Sequence, residues 1–480
     1  MTDASAKPAE QGQQKQGLHC TASWGSPILL AVAAALQITV AMGPMAHDLG
    51  NVQPLVWALS AAMGLVQCFF IAELAVHFPR RAGGTATYAH EALGDQLRWI
   101  PAMSSWAYWF AWTPGVAVNL ILASDYLRAT VFPHVNTVVL SLILGAVLYA
   151  INARGLQFNV RISATLIILT AVPLLALFLA PLIRPSLFQG ARVWPFHFPA
   201  SHGFPIALVI KWLFVAAWSA YGAEMSSTIF AECRTSKRTI VRGMAVAGTG
   251  CLIAFALIPF VLTGIVGARG LGDDPATVFL VPAKVVLGTA GAKITGLMLA
   301  SALIVGAQAY IISSSRTLYQ MSRDGYMPRS FQRVNRFGAP FNTVICDAVV
   351  IALLVGVFRT NVVNVVASAN IGYLLVFIIL PLSFVIIRRR RSRTGELTIM
   401  PGWLTPVAFL FAALNACLLI AGAVLWGTRV WLTGVVVLSV IFPLMFFRAH
   451  EERRAHHVPP IIHQPPGERS ERASYLSDDG

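Results

Sequence analysis

Runs of about twenty apolar residues, separated by short polar or basic segments, recur from residue 26 to residue 447. As α-helix, a run of that length crosses the hydrocarbon core of a bilayer, whereas barrel strands would alternate over about ten residues. The pattern predicts an all-α integral membrane protein with twelve transmembrane helices. They fall at approximately 26–46, 55–77, 100–125, 135–153, 161–183, 205–231, 241–267, 292–319, 341–358, 362–387, 403–426 and 429–447. The stretches 1–23 and 448–480 are polar and rich in Gln, Pro, Glu and Arg, and read as disordered tails. No cleavable signal peptide is expected, because the first apolar run is long enough to span.

Composition supports this class. Of 480 residues, 56% are hydrophobic and 11% charged, against roughly a quarter charged in a soluble domain. The net charge of +15 is unevenly placed. Arg80, Arg81, Arg154, Arg161, Arg234, Lys237, Arg238, Arg242, Arg323, Arg329, Arg333, Arg336 and the run Arg388 to Arg391 fall in alternate loops. The opposite loops are poorer in Lys and Arg, which predicts that both termini are cytoplasmic in a cell membrane. The run in the loop 388–402 abuts a span, so anionic lipid headgroups, not nucleic acid, are its near partner. The six cysteines form no CxxC pair and read as small apolar residues, with no disulfide or metal site implied.

Helix breakers inside spans carry the chemistry. In the sixth span, "WSAYGAEMSS" sets Trp218, Ser219, Tyr221, Gly222 and Glu224 at mid-depth. In the first, Gln37 and Thr39 lie at mid-depth, ahead of Gly43-Pro44. Non-helical backbone in a membrane is tolerated where it lines a cavity or is buried in protein. Interruptions at matching positions of two halves point to a carrier with inverted repeats. A lone Gly in a span serves close helix packing, but one beside Trp, Ser, Tyr and Glu favours a site. Glu224 has two compatible readings: a functional carboxyl facing a substrate or proton path, or a neutral acid bonded to freed backbone.

Three linked motifs resemble the amino acid–polyamine–organocation permeases. "AELAVHFPRRAGGTATYAHEALG" (Ala72 to Gly94) is similar to that family's second-span signature, and "SSSRTLYQMSRDGYMPRSFQRVNRFGAPFNTV" (Ser313 to Val344) to the loop after its eighth span. "WSAYGAEMSS" matches its broken sixth helix, followed by Ala231-Glu232. The resemblance implies a LeuT-like fold: a first five-helix repeat at 24–183, an extracytoplasmic loop at 184–203, an inverted repeat at 204–387 and two extra helices at 403–447. Helices 1 and 6 are then broken, and substrate sits between them and the third, eighth and tenth. It further implies that Trp218 covers the alkyl or cationic part of a substrate, as in arginine/agmatine-type antiporters, and that Glu224 serves gating and proton response. The physics agrees, since a Trp face attracts ammonium and guanidinium groups.

The chain departs from the family at three places. Leu36-Gln37-Ile38 stands where a Gly-rich break normally binds the substrate carboxylate. Gln37 then supplies side-chain hydrogen bonds instead, or the substrate lacks an α-carboxylate. Pro173 stands where some proton-coupled relatives carry Lys, and Thr235-Ser236-Lys237 replaces a Lys-Asn-Pro.

Further polar positions complete the expected site: Asn119 in the third span, Gln308 and Tyr310 in the eighth, Ser368 and Asn370 in the tenth. Each alone suits a helix–helix hydrogen bond; together they form a substrate-site list. Trp106, Tyr108, Trp109 and Trp112 are expected mostly at the lipid interface or in packing, with one facing the site. Lys211 is expected to snorkel outward or to act as a vestibule cation with Asp125 as its partner. Asp273 or Asp274 with Pro275 suits the start of a short helix before the eighth span. Glu73, Arg80, Glu232, Arg316, Arg323 and Asp324 are expected to form either a switching ion-pair network or static anchors. His450, His456, His457 and His463 read as solvated tail residues, the rival being a pH-responsive plug.

The function expected is secondary transport of an amino acid or related amine by alternating access, with proton coupling or exchange as driving force. Alternatives are a polyamine or small-amine carrier and a non-transporting amino-acid sensor. No nucleotide-binding GxxxxGK[ST], no cofactor motif and no HExxH or Ser/His constellation is present, so an enzyme is not expected. The sequence does not set an oligomeric state.

Overall fold

A computed structural model describes residues 38–199, 205–233, 236–272, 278–357, 362–395 and 398–454, with isolated positions at 18, 25–28 and 31. Among them the regular structure is entirely helical. The helices are α1 (Thr39–Leu49), α2 (Gln53–His77), α3 (Tyr88–Leu93), α4 (Trp99–Thr130), α5 (Thr137–Asn152), α6 (Leu156–Ile183), α7 (Ile206–Ala220), α8 (Lys237–Val266), α9 (Leu280–Arg323), α10 (Phe341–Val357), α11 (Val362–Arg393), α12 (Leu404–Trp426), α13 (Thr428–Ser439) and α14 (Ile441–Arg454).

Local chemistry sets their ends. Pro54 sits in the first turn of α2, where its missing N–H costs nothing. Asn136 caps α5 by accepting from Val138 N at 2.9 Å, and Ser236 caps α8 by accepting from Thr239 N at 3.3 Å. In α9, Gly288 at φ +73° marks a kink between a short first helix and the long span. The expected short helix before the eighth span is this segment. It begins at Leu280, and positions 273–277 lie outside the described residues.

Among the described residues, eight helical stretches are long and apolar enough to cross a membrane. The α5 and α10 helices are apolar but shorter, at 16 and 17 residues. The 32-residue α4 falls outside the set of eight. Between Pro101 and Tyr126 its Trp, Tyr, Ser, Thr and Asn side chains are buried, packed against α9, α11, α5 and α10, while Trp99 at its start is 51% exposed. The α6, α12, α13 and α14 helices turn apolar side chains outward; Leu182 and Phe446 are 77% and 75% exposed. In water that surface would be unfavourable, and in lipid it is solvated.

Two expectations at loop boundaries are corrected. α11 continues to Arg393, so Arg388 to Arg391 are helical and not loop residues. α14 continues to Arg454 instead of ending near 447, and Arg448 pairs there with Glu452 at 2.9 Å. Gln37 and His456, His457 and His463 lie outside the described residues.

Helix contacts are close at small residues. A Cβ on Gly422 of α12 would stand 2.4 Å from the Phe214 ring of α7. We therefore expect Gly422→Ile to force α12 off α7 at a cost of about 1–3 kcal/mol. Thermal unfolding of the purified protein in detergent should show a lower Tm, while Gly190→Ala, at a position with open space around it, should leave Tm unchanged.

Candidate functional site

The α7 helix stops at Ala220. From Gly222 to Glu232 the chain continues for eleven residues as a 3-10 helix, far beyond the usual run of three or four. The change of winding leaves carbonyls without α-helical partners, and nearby groups take them. Thr228 Oγ1 donates to Met225 O at 2.7 Å, Ser226 Oγ to Ala223 O at 2.7 Å, and Gly83 N to Thr228 O at 3.3 Å. Gly83 and Gly84, at φ +76° and +63°, carry the loop after α2 hard against this segment. A Cβ on Gly84 would stand 2.5 Å from Ser227 Oγ, so a glycine is required there both for φ and for space.

Glu224 lies in the first turn of the 3-10 segment and is completely buried. Three hydroxyls donate to its carboxyl group: Thr85 Oγ1 at 2.5 Å, Tyr108 Oη at 2.9 Å to both oxygens, and Tyr373 Oη at 3.2 Å. No Arg or Lys pairs with it among the described residues. The donors come from three elements, the loop after α2, α4 and α11, and they join these to the 3-10 segment that carries Glu224. Above it lies an aromatic wall. Trp112 stacks on Tyr310 at 4.7 Å between centroids, meets Tyr373 edge-on at 4.8 Å and lies 5.5 Å from Trp218. Trp218 Nε1 donates to Ala111 O at 2.9 Å. Gly115 of α4 admits the rings, since a Cβ there would lie 2.7 Å from Trp218 and 2.9 Å from Tyr310.

Of the residues expected in the site, Trp218, Tyr221, Gly222, Glu224 and Tyr310 come together around the break. Tyr221 Oη donates to Asn415 Oδ1 at 3.1 Å, and its ring packs on Phe377. Asn370 is one turn from Tyr373, with Nδ2 donating to Phe214 O at 2.5 Å. Ser219 and Thr39 are buried, and Thr39 opens α1, which packs on α7. Asn119 is buried one turn beyond Gly115, and neither amide atom has a hydrogen-bond partner among the described residues. Gln308 Nε2 donates to Asn159 Oδ1 of α6, so this residue ties α9 to α6 instead of reaching the aromatic wall. Ser368 bonds within its own helix, to Asn364 O at 3.0 Å.

Of the third-span rings expected at the interface or in packing, with one facing the site, two instead of one reach it. Trp106, Tyr108, Trp109 and Trp112 are all buried in protein, and two, Tyr108 and Trp112, belong to the site. Lys211 sits over Trp426, 4.7 Å from the ring centroid. Asp125 instead lies 3.8 Å from Arg128 and accepts from Thr137 Oγ1 at 2.8 Å. Thr85 and Tyr373 were not legible as site residues. Thr85 follows the double glycine of the Ala72–Gly94 motif, which was its one signal.

An ion-pair layer lies at one end of the bundle. Arg316 Nε donates to Glu232 Oε1 at 2.7 Å and Nη2 to Oε2 at 3.2 Å, with both side chains buried. Asp324 pairs with Arg81, which also holds Glu91 at 2.7 Å. Glu73 accepts from Arg388 at 3.4 Å and from Met400 N at 2.9 Å. Arg81 and Arg388 thus take the places expected for Arg80 and Arg323, both of which are exposed. His90 Nδ1 meets Tyr326 Oη at 2.6 Å beside Arg81 and Asp324. Burial pushes this imidazole below its ordinary value.

The break, the buried carboxyl and the aromatic wall define the class: a membrane carrier built around an interrupted helix. Residues 23–445 match the family model described as amino acid permease, and the chain belongs to that family. Its members are carriers and not enzymes. The γ-aminobutyric acid permease of Bacillus subtilis is 22% identical over 92% of this chain and 95% of its own. The lysine-specific permease LysP of Lactococcus lactis subsp. cremoris is 24% identical over 88% and 86%. Among solved structures, the Eremococcus coleocola manganese transporter in complex with an aromatic bis-isothiourea substituted compound superposes with a TM-score of 0.56 at 12% identity. It covers 90% of this chain and 94% of its own. That likeness extends to the fold alone.

Two predictions test the ion-pair layer. Arg316→Met leaves Glu232 buried without its partner and should cost about 3–5 kcal/mol, while the double variant with Glu232→Met should recover much of the lost Tm. His90 binds fewer protons when packed in this layer than when exposed, so the packed arrangement is favoured above the ordinary imidazole value of about 6.5 and weakens as pH falls below it. The protection of amides 80–95 against hydrogen exchange, taken relative to the intrinsic rate at each pH, should therefore fall on acidification through that value, and His90→Gln should flatten the response.

Proposed function

We propose that this protein is a secondary active transporter moving an amino acid or related amine by alternating access. The proposed arrangement is a LeuT-like bundle of two inverted five-helix repeats, 24–183 and 204–387, with two extra helices, in the cell membrane with both termini cytoplasmic. The observation that carries the reading is Glu224: a buried carboxyl at a helix break, ringed by Thr85, Tyr108 and Tyr373 and bordered by the Trp112–Trp218–Tyr310 wall.

Such a carboxyl group can trade a proton for a cationic ligand. An ammonium group arriving against the Trp and Tyr faces gains cation–π attraction and supplies the countercharge that lets Glu224 ionise. Once Glu224 is engaged with substrate, the hydroxyl ring that joins four elements loosens. The Arg316–Glu232 and Arg81–Asp324 pairs then form the second barrier, at the cytoplasmic side. Protons are the coupling ion in this scheme.

A small-amine carrier is the second reading. It is favoured because the chamber holds one acid and, among the described residues, no Lys or Arg pairs with it to receive a substrate carboxylate. The similarity to a γ-aminobutyric acid permease and a lysine permease favours the amino acid.

The test is uptake into proteoliposomes of labelled neutral, cationic and acidic amino acids, γ-aminobutyrate, putrescine and agmatine, with and without a pH gradient. Saturable uptake of one of the amino acids is expected, with kcat/KM reduced at least tenfold by Glu224→Gln, a loss of about 1.4 kcal/mol or more of transition-state stabilisation. Uptake of diamines alone would establish the second reading. Absence of movement under either gradient and in counterflow would leave a sensor on the same fold.

A further inference from the structure

A second carboxyl group is buried in the bundle, on a helix outside the site. Asp347 lies in the second turn of α10 and is completely buried. Trp109 Nε1 of α4 donates to its Oδ1 at 2.6 Å, and Ser314 Oγ of α9 lies in hydrogen-bond contact with Oδ2. Tyr149 of α5 and the adjoining Cys346 are the titratable groups that face it, and no Arg, Lys or His acts on it among the described residues. Two neutral donors and no cation leave a carboxylate largely uncompensated in a membrane interior.

The hydrogen-bond inventory closes if the group is a neutral acid. Asp347 Oδ2–H then donates to Ser314 Oγ, and Ser314 Oγ–H passes on to Ile311 O, 3.3 Å away. Oδ1 still accepts from Trp109. Every proton in the chain has an acceptor, and no unpaired charge is buried.

Both partners of Asp347 belong to helices that pack around Glu224 and its aromatic wall. Trp109 follows Tyr108, a donor to Glu224, and Ser314 is one helical turn from Tyr310 in the aromatic wall. From this geometry we infer that Asp347 is a second proton-binding site of the transporter, holding its proton while α4 and α9 close on α10 and releasing it when they part. The step is H⁺ leaving Oδ2 for water, with a carboxylate left behind. The proton-binding part of this inference is independent of the transport proposal; the release part rests on it.

Infrared difference spectroscopy on the purified protein in lipid, titrated with pH in H2O and D2O, reads protonated carboxyl groups without any substrate. At neutral pH the wild type should show a protonated-acid carbonyl band that survives in Glu224→Gln and is lost in Asp347→Asn. Asp347→Asn keeps both hydrogen bonds, because the amide Oδ1 accepts from Trp109 and Nδ2 donates to Ser314. Its Tm should therefore match that of the wild type. Trp109→Phe keeps the acid but removes one donor, and should shift the same band. A spectrum unchanged by both variants overturns the inference.

For the release step, uptake of whichever amino acid the wild type accumulates is measured against pH gradient. Asp347→Asn should accumulate at least threefold less under an inward proton gradient while retaining counterflow. A gradient response identical to wild type reduces Asp347 to a fixed structural acid and overturns release. A wild type that moves no substrate at all removes the transport proposal and release with it, while the infrared result still decides proton binding.

Discussion

A carboxyl group cannot sit in the middle of an apolar bundle without donors arranged around it. Glu224 imposes that constraint, and much of the surrounding architecture meets it. Its three hydroxyl partners come from the loop after α2, from α4 and from α11, so satisfying one side chain fixes the mutual position of four elements. The double glycine at 83–84 exists to bring Thr85 close enough. Gly115 exists to bring the aromatic wall down onto the same point. A ring of neutral donors holds the group while leaving its charge state open to change, which a buried Arg would not.

The rest of the polar interior divides by charge. Around Glu224 and Asp347 the partners are hydroxyls and an indole. At the end where α2, α9 and α11 approach the adjoining loops, the carboxylates Glu232, Asp324 and Glu73 each have an arginine. Full ion pairs gather at the loop end of the bundle, where even the buried Arg316–Glu232 pair has its full complement of partners, and neutral hydrogen bonds occur in the middle. This is the distribution expected where the desolvation of two charges is poorly repaid in the apolar interior. Arg388, part of a basic run that looks like a simple membrane-surface signal, is drawn into this layer by Glu73 and the Met400 backbone.

Much of this was legible in the chain. The apolar runs located the helices because length and hydropathy are local properties, and Gly222 beside Trp218, Tyr221 and Glu224 located the break. The misreadings share a cause. For Trp106 and Trp109 interface and packing stayed open together, because a periodic pattern cannot say whether a Trp faces lipid or a neighbouring helix; both pack in protein. Gln308 was placed in the site by its span, but its rotation about the helix axis turns it to Asn159. Asp347 was passed over because a single acid near the start of an apolar run resembles a loop residue, and its burial is created by α4 and α9 from far away in sequence. Arg80 and Arg81 are adjacent and chemically identical, and only the path of the loop decides which one meets Asp324.

The eleven-residue 3-10 segment after Gly222 has one more property, which concerns length. A 3-10 helix rises about 2.0 Å per residue and an α-helix about 1.5 Å. The segment is thus about 22 Å long as wound here and would be about 16 Å long as α-helix. Rewinding would draw Glu232 roughly one α-helical turn toward Ala220 with no change in covalent structure. The buried hydroxyls of Ser226 and Thr228, which hold the freed carbonyls, act as the catches on a stretched spring.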